Sequence, residues 1–204
     1  MPALAITGTI GSGKSSSLKL ISCALRTIGH ETTSFSADEE NRRLLDQDPE
    51  VRDLICSQFG NSCYQNDGTA DRAAIFQIIA TDPLAKKRLE EILHPRIEIL
   101  WKPQAIDFHS KKDTFFVAEI PLLYEKQLES FFDKTLLIGC SENVRRERLE
   151  RTRSMKSSDA ARWTNMQQSQ ELKIPKADHL FWNDGSEQSL KLQVQYFVDT
   201  IALK

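Results

Sequence analysis

The sequence predicts an α/β protein in three layers, α/β/α, with a five-stranded parallel sheet at the centre. A short apolar run, Ala3 to Thr7, leads into a glycine-rich loop and then into a segment of helical periodicity, which is how a parallel α/β sheet begins. The runs at 114–119 and 134–140 are almost continuously apolar. Such runs are typical of strands that are covered on both faces. The region before these two runs, 39–112, is more polar and has several helix-start signals.

Composition limits the function classes. The 204 residues suffice for one good core, and 27 Lys+Arg against 29 Asp+Glu give a net charge of −2. No global basic field is available for nucleic acid, and no apolar stretch approaches membrane-spanning length. The four cysteines lack CxxC spacing and the four histidines lack metal-ligand spacing. We therefore expect a folded cytoplasmic protein with reduced thiols that binds neither nucleic acid nor membrane and is a monomer or a weak homo-oligomer.

The first half of the chain contains the clearest element boundaries. The first helix is predicted from Lys14, with apolar residues at helical spacing, and Gly29 should end it. A second strand is predicted at 32–36, and Asp38 follows where a helix can begin. Three more helices should start at Asp48, Asp71 and Asp82, and Pro95 and Pro103 should interrupt or kink the last of these.

The second half returns to the sheet. After the strand at 134–140, Ser141 can cap a charged helix that contains an arginine-rich stretch at 145–153. A last strand is predicted at 179–182, and a closing amphipathic helix follows the turn at 183–185. There is no internal repeat or low-complexity region.

The loop at 8–15, Gly-Thr-Ile-Gly-Ser-Gly-Lys-Ser, fits the phosphate-loop pattern GxxxxGK[ST] and lies between a predicted strand and a predicted helix. Its glycines let backbone N–H groups face phosphates, and the helix presents its positive end. Lys14 adds a point charge near the β- and γ-phosphates, and the Ser15 hydroxyl should bind Mg²⁺. We assign to the ATP site Gly11, Ser12, Gly13, Lys14, Ser15 and Ser16. A mere glycine turn beside a surface lysine is improbable in this context.

A phosphate loop alone does not distinguish kinases from GTP-binding switches or motor ATPases. The chain has no NKxD-like segment for guanine and no second domain for mechanical work. Its small size, helical insertion and arginine-rich stretch favour a kinase that closes over two substrates. Asp38 lies where a carboxylate could accept the proton of an attacking hydroxyl, although simple helix capping explains its position about equally well.

The motifs together resemble one family. They are TGTIGSGKS at 7–15, SAD at 36–38, DGTADRAAI at 67–75, DPLAKKRLEEILHP at 82–95, EIPLLYE at 119–125, RRERLERTR at 145–153 and WNDGS at 182–186. This order and spacing resemble the dephospho-coenzyme A kinases. The resemblance implies ATP-dependent phosphorylation of the ribose 3′-hydroxyl of dephospho-coenzyme A, with Mg²⁺. It also implies a phosphate-loop NTPase fold with a core at 1–38, 113–144 and 177–204, an acceptor-binding helical insertion at 39–112, and a lid region at 145–176.

The resemblance also assigns roles to residues. Asp38 looks like the catalytic carboxylate, Arg148 like an arginine that stabilises the transferring group, Arg153 like a second such arginine, and Asn183 like a residue near the adenine. The segments that line the acceptor side are matched by His94, Leu122, Leu123, Tyr124 and Glu125. Each has an ordinary structural alternative as a core residue or solvated surface residue.

Two positions depart from the family pattern, since Ser36 and Glu119 stand where it usually has Asp. The loss of a carboxylate at Ser36 leaves Asp38 as the acid after the second strand and puts a two-carboxylate mechanism in doubt. Two alternative functions stay open: another small-molecule or nucleotide kinase, and a non-catalytic protein that senses ATP.

Overall fold

A five-stranded parallel sheet forms the centre of the protein. The computed structural model describes residues 3–108, 114–153 and 167–202. All four neighbouring strand pairs are parallel, in the order β2-β3-β1-β4-β5. The predicted fold class is therefore confirmed. The strands are β1 (Ala3–Thr7), β2 (Glu31–Ser36), β3 (Thr114–Glu119), β4 (Lys134–Gly139) and β5 (His179–Trp182).

The helices alternate with these strands and also fill the region between β2 and β3. Among the described residues they are α1 (Lys14–Thr27), α2 (Ala37–Gln47), α3 (Pro49–Phe59), α4 (Arg72–Thr81), α5 (Pro83–Phe108), α6 (Glu142–Arg153), α7 (Gln170–Lys173) and α8 (Glu187–Ala202). Short 3₁₀ turns occur at Asn61–Cys63, Glu129–Phe131 and Ile174–Lys176.

Side-chain caps begin several helices where the sequence indicates. Asp48 accepts a hydrogen bond from the Val51 backbone N–H at 3.1 Å, and Asp71 accepts one from Ala74 at 2.9 Å. The Ser141 hydroxyl accepts from the Val144 N–H at 3.4 Å at the start of α6. Each cap satisfies one of the N–H groups that the first turn of a helix leaves unpaired.

Helix α5 runs for 26 residues through both Pro95 and Pro103. The predicted interruption at these prolines is therefore wrong, whereas the alternative, a kink, stays a prediction. Each proline removes one backbone hydrogen bond and costs about 3 kcal/mol in a helix interior. The helix nevertheless continues because its apolar side chains are buried along most of its length, and each contributes about 1.5–3 kcal/mol. The buried set includes Leu89, Ile92, Leu93, Ile97, Trp101 and Ala105.

The sheet is covered on both faces. On one face, alternate strand residues such as Ile6 and Ile138 pack against α1 and α8 through Ile21, Leu25 and Val198. The alternate residues of the other face, Ala5, Phe116 and Leu137, are fully buried as well. The near-continuous apolar runs of the inner strands β1, β3 and β4 thus follow from burial on both faces, whereas Leu180 and Trp182 of the edge strand β5 are exposed.

The chain divides into two compact units. One unit takes in the chain up to Ser36 and from Lys102 onward, and it carries the whole sheet. The other is Ala37–Trp101, which comprises α2, α3, α4 and most of α5. Within that second unit, Asp46 accepts a hydrogen bond from the Ala70 N–H and pairs with Arg72 at 2.6 Å. None of the helices in the described ranges is long and apolar enough to cross a membrane.

Candidate active site

The phosphate loop joins β1 to α1 and turns at glycines with positive φ. Gly11 has φ 78° and Gly13 has φ 98°, a conformation that other residues rarely adopt. A Cβ on Gly13 would collide with the Asn183 amide nitrogen, and one on Gly11 would lie 3.2 Å from the Arg145 side chain. Glycine is therefore required at Gly13 for two reasons, its backbone conformation and the close approach of Asn183.

Lys14 is the first residue of α1, and its residue surface is only 6% exposed. Its ammonium donates a hydrogen bond to the Thr9 carbonyl at 3.1 Å, across the loop. The first turn of α1 contains no acidic residue, so no side chain of the helix itself offsets its positive end. A buried ammonium and a helix N-terminus thus lie together at the loop, which favours an anion such as a phosphate.

Glu119 links the phosphate loop to the ends of two strands. It is the last residue of β3, is 1% exposed, and pairs in register with Ser36 of β2 and Ile6 of β1. One carboxylate oxygen accepts a hydrogen bond from Ser15 Oγ at 3.0 Å, and the other accepts one from Ser36 Oγ at 3.0 Å. The two departures from the family pattern, Ser36 and Glu119, are therefore direct partners.

The hydrogen bond from Ser15 to Glu119 leaves the Ser15 oxygen able to bind a magnesium ion. A serine hydroxyl has one proton, and Ser15 donates it to Glu119, so its lone pairs are left for a cation. Mg²⁺ prefers oxygen ligands and is usually held by one or two protein groups plus phosphate oxygens and water. Within the described ranges no three His, Cys, Asp or Glu side chains form a metal cluster. A site with few protein ligands, completed by the triphosphate, suits this donor set.

Asn183 and Arg148 meet at the Ser12 carbonyl. Asn183 follows β5, is 6% exposed, and donates from its amide to Ser12 O at 2.8 Å. Arg148 of α6 lies at 3.4 Å from the same carbonyl and at 3.5 Å from the Asn183 side-chain oxygen. Burial raises the pKa of the nearby Cys140 thiol, and the cationic Arg148 opposes this effect. Both predicted residues thus contact the phosphate loop directly.

The segment 122–125, predicted to line the acceptor side, is more buried than its predicted role suggests. Leu123 is fully buried, and Tyr124, 3% exposed, donates its hydroxyl to Thr135 Oγ at 3.1 Å. Burial raises the pKa of Tyr124. Leu122 is half-buried, and Glu125 forms an ion pair with Lys173 at 2.9 Å.

Three other predicted site residues are not brought to the loop by these contacts. Asp38 lies in the first turn of α2, and His94 lies in α5; both are half-buried and belong to the second compact unit. Arg153 ends α6, and its side chain falls outside the described residues. Much of the predicted lid, 154–166, also lies outside them.

Two further residues belong to the site. Glu119 keeps the charge of the family's Asp, which predicts a contact with the magnesium site or the acceptor, and it lies beside Ser15 because the ends of parallel strands meet at one edge of a sheet. Gln167 accepts a hydrogen bond from the Ile10 backbone N–H at 2.9 Å. No pattern in the sequence predicts this contact of Gln167, because a polar residue in a loop has no periodicity or spacing that indicates a distant partner.

Comparisons with known proteins identify the family. The model of the dephospho-CoA kinase family matches residues 3–189. A dephospho-CoA kinase from Wolinella succinogenes is 32% identical over 203 residues, which cover 98% of this chain and 94% of that protein. The solved structure of a dephospho-CoA kinase from Campylobacter jejuni is 25% identical, with a TM-score of 0.58 and coverage of 98% and 96%.

A Thermus thermophilus protein of known structure is 25% identical, with a TM-score of 0.70 and coverage of 99% of this chain and 97% of that one. The family model spans the sheet, both compact units and the phosphate loop. The chain belongs to the dephospho-CoA kinase family.

Proposed function

We propose that this chain transfers the γ-phosphoryl group of ATP to the ribose 3′-hydroxyl of dephospho-coenzyme A, giving coenzyme A and ADP in the last step of coenzyme A biosynthesis. The observation that carries the proposal is the complete phosphate loop, with buried Lys14 and the Ser15–Glu119 hydrogen bond, in a chain of this family.

ATP binds with its phosphates along the loop and the N-terminus of α1. The loop N–H groups and the Lys14 ammonium neutralise the β- and γ-phosphates, so Lys14 exchanges its bond to the Thr9 carbonyl for phosphate oxygens. Mg²⁺ supplies charge neutralisation of the triphosphate when it is bound. Ser15 would hold the ion through the hydroxyl lone pairs, and Glu119 keeps that hydroxyl oriented.

Transfer is direct and in line, without a covalent enzyme intermediate. The acceptor oxygen forms a bond to the γ-phosphorus while the bond from that phosphorus to the β–γ bridging oxygen breaks, and ADP leaves. Asp38 accepts the hydroxyl proton. Arg148, which lies beside the loop at Ser12, neutralises charge on the transferring group, and Arg153 assists it.

For the acceptor we propose contacts from His94 and from the segment after β3. His94 and Leu122 are half-buried and have surface to offer, whereas Leu123 and Tyr124 shape the site from the core beneath. Asn183 fixes the loop at Ser12 and lies on the side where the adenine of ATP binds. The helical insertion at 39–112 and the lid at 145–176 exclude water from the reaction. The enzyme works in the cytoplasm as a monomer or a weak homo-oligomer.

The first experiment is an ADP-release assay with purified protein, ATP and Mg²⁺, and with dephospho-coenzyme A beside nucleoside monophosphates and sugars, with product masses recorded. One added phosphate on dephospho-coenzyme A alone supports the proposal. Transfer to a different acceptor would show a kinase with another substrate. ATP binding without transfer to any acceptor would favour a nucleotide sensor.

The proposed role of Asp38 has its own test. Asp38→Asn removes the proton acceptor with little change in shape, so kcat should fall at least roughly 100-fold while the dissociation constant for ATP stays nearly constant. Turnover close to that of the unmodified enzyme would show that Asp38 does not take part in the mechanism. Its role would then be structural, in the first turn of α2.

A further inference from the structure

The backbone N–H of Ile10, inside the phosphate loop, is bonded to a side chain from another part of the chain. Ile10 donates to Gln167 Oε1 at 2.9 Å, and the Ile10 residue itself is buried. Most backbone N–H groups in such a loop serve the phosphates. Here one of them is held by protein, so the position of Gln167 helps to define the path of the loop.

Gln167 belongs to a segment, 167–173, that is fixed to two other parts of the sheet unit. The neighbouring Gln168 backbone N–H donates to Glu125 Oε1 at 2.9 Å. Farther along, the Gln170 side chain accepts the Cys140 N–H at 3.2 Å, just after β4. The segment therefore has a defined position next to the loop, because both contacts involve backbone groups that cannot rotate away.

The strongest contact of this segment is the buried ion pair at its end. Lys173 is 0% exposed, and its ammonium lies 2.9 Å from Glu125 Oε1. It also donates to the Pro121 carbonyl at 3.3 Å, which accepts a second hydrogen bond from Thr7 Oγ of β1. A buried ammonium requires its counter-ion, and Glu125 supplies it. Lys173 and the Gln168 N–H share Oε1 of Glu125, whereas the buried Oε2 has no hydrogen-bond partner among the described residues.

The loop is held at a second point as well. Arg148 of α6 lies 3.4 Å from the carbonyl of Ser12, two residues beyond Ile10. The loop is consequently bound through an N–H at Ile10 and through a carbonyl at Ser12. Its conformation before ATP arrives depends on both contacts, which is the preorganisation that phosphoryl transfer requires.

We propose that Gln167 is a positioning residue for phosphoryl transfer, which holds the phosphate loop at Ile10, and that Glu125 supports it by fixing the segment 167–173 through Gln168 and Lys173. The inference rests on the proposed kinase activity.

The test compares Gln167→Met with the unmodified enzyme. Methionine has a similar length and shape but no acceptor for the Ile10 N–H, so kcat/KM for ATP should fall roughly 10-fold while KM for dephospho-coenzyme A is unchanged. Gln188→Met, at an exposed position of α8, is the control for the chemical change alone. Unchanged ATP kinetics in Gln167→Met, with at most a lower melting temperature, would reduce Gln167 to a structural residue and overturn the proposal.

Glu125→Gln alone could fail to fold, so the double variant Glu125→Gln with Lys173→Met removes both buried charges together. It should show the same roughly 10-fold loss in kcat/KM for ATP as Gln167→Met. Normal ATP kinetics in the double variant would show that Glu125 does not support the loop. Titration with ATP and Mg²⁺ alone measures the loop without any acceptor, so failure of this inference stays distinct from failure of the kinase assignment.

Discussion

At the scale of single residues, the carboxylate of Glu119 connects the phosphate loop helix to the end of β2. It accepts hydrogen bonds from both Ser15 and Ser36 and is almost fully buried. An aspartate at Ser36 would place a second carboxylate beside Glu119, where two like charges repel each other. Serine at this position instead donates a hydrogen bond to Glu119, so Ser36 and Glu119 are compatible neighbours.

Replacement of Glu119 by Gln should impair the use of Mg²⁺. The amide keeps the size of the side chain but loses the charge and one acceptor, so the Ser15 hydroxyl is less firmly oriented. We expect activity to fall by roughly 10- to 100-fold and the Mg²⁺ concentration for half-maximal activity to rise. Magnesium titrations of kcat measure both effects.

Ser36→Ala is the matched control for this experiment, because it removes the other hydrogen bond to Glu119 and leaves Ser15 in place. Its effect on the Mg²⁺ requirement should be the smaller of the two. Equal magnesium curves for Glu119→Gln and the unmodified protein would contradict the role given to Glu119.

The position of the phosphate loop could be predicted because chemistry and local spacing coincide there. Lys14 and Ser15 follow from an eight-residue pattern, and the loop is found between β1 and α1 as predicted. The partners of Glu125 and Asn183 could not be predicted, because Lys173 and Ser12 are distant in sequence and meet them only in the folded chain. A resemblance to a family gave the position of these residues but not what they contact.

At the scale of elements, the phosphate loop should be sensitive to side chains at its glycines. Gly13 and Gly29 both have positive φ, 98° and 95°, but a Cβ at Gly13 meets Asn183 while one at Gly29 meets nothing within 4 Å. Gly29→Ala should cost about 1–2 kcal/mol of stability and leave ATP binding unchanged. Gly13→Ala should in addition weaken ATP binding by at least roughly 10-fold, because Asn183 must leave Ser12.

Calorimetric titration with ATP and chemical denaturation of the two alanine variants make this comparison. If both variants bind ATP equally well, the contact between Asn183 and the loop has no influence on nucleotide binding.

Asp178, just before β5, joins the beginnings of β4 and β5. Its carboxylate accepts hydrogen bonds from the Thr135 N–H and hydroxyl, each at 2.9 Å, and from Lys134 at 3.0 Å. Burial alone would raise the pKa of Asp178, but these hydrogen bonds outweigh it and lower the pKa below the usual aspartate value. A lowered pKa in the folded state stabilises the fold above the pKa of the unfolded chain, and this contribution is lost as pH falls through the folded value.

Asp178→Asn should therefore lower the free energy of unfolding by about 1–2 kcal/mol at pH 7, since a half-exposed carboxylate with several donors contributes modestly. The difference from the unmodified protein should shrink below pH ~4 and vanish at lower pH. Urea denaturation at a series of pH values measures it, with the exposed Asp53→Asn as the control. A difference that stays constant down to pH ~3 would show that the charge of Asp178 is not the cause.

Element prediction from the sequence worked best where caps and apolar runs agree. The strands and the starts of α3, α4 and α6 were predicted correctly from Asp48, Asp71 and Ser141. It failed at Pro95, because a local rule about proline does not include the burial that keeps α5 continuous. Long-range packing, which no local pattern reports, decided that case.

At the scale of the whole molecule, the charge is nearly balanced, at −2, while positive charge is concentrated locally. Lys14 is buried in the loop, Arg148 lies at Ser12, and the Arg145 side chain is within 3.2 Å of a Cβ built on Gly11. An anion is therefore attracted to one place, and not to the surface in general.

Binding of a nucleotide at this place should stabilise the entire fold, because a ligand that binds only the folded state lowers its free energy. With Mg²⁺ and a non-hydrolysable ATP analogue at about 100 times its dissociation constant, linkage gives about 2.7 kcal/mol, or a rise in Tm of roughly 5–10 °C for a chain of this size. Lys14→Ala should lose most of this rise, whereas Lys19→Ala, at an exposed position of the same helix, should retain it. Thermal unfolding with and without the analogue measures the shift within each variant, so a change in basal stability does not enter. An equal rise in Tm for Lys14→Ala would mean that the nucleotide stabilises the protein from somewhere other than the phosphate loop.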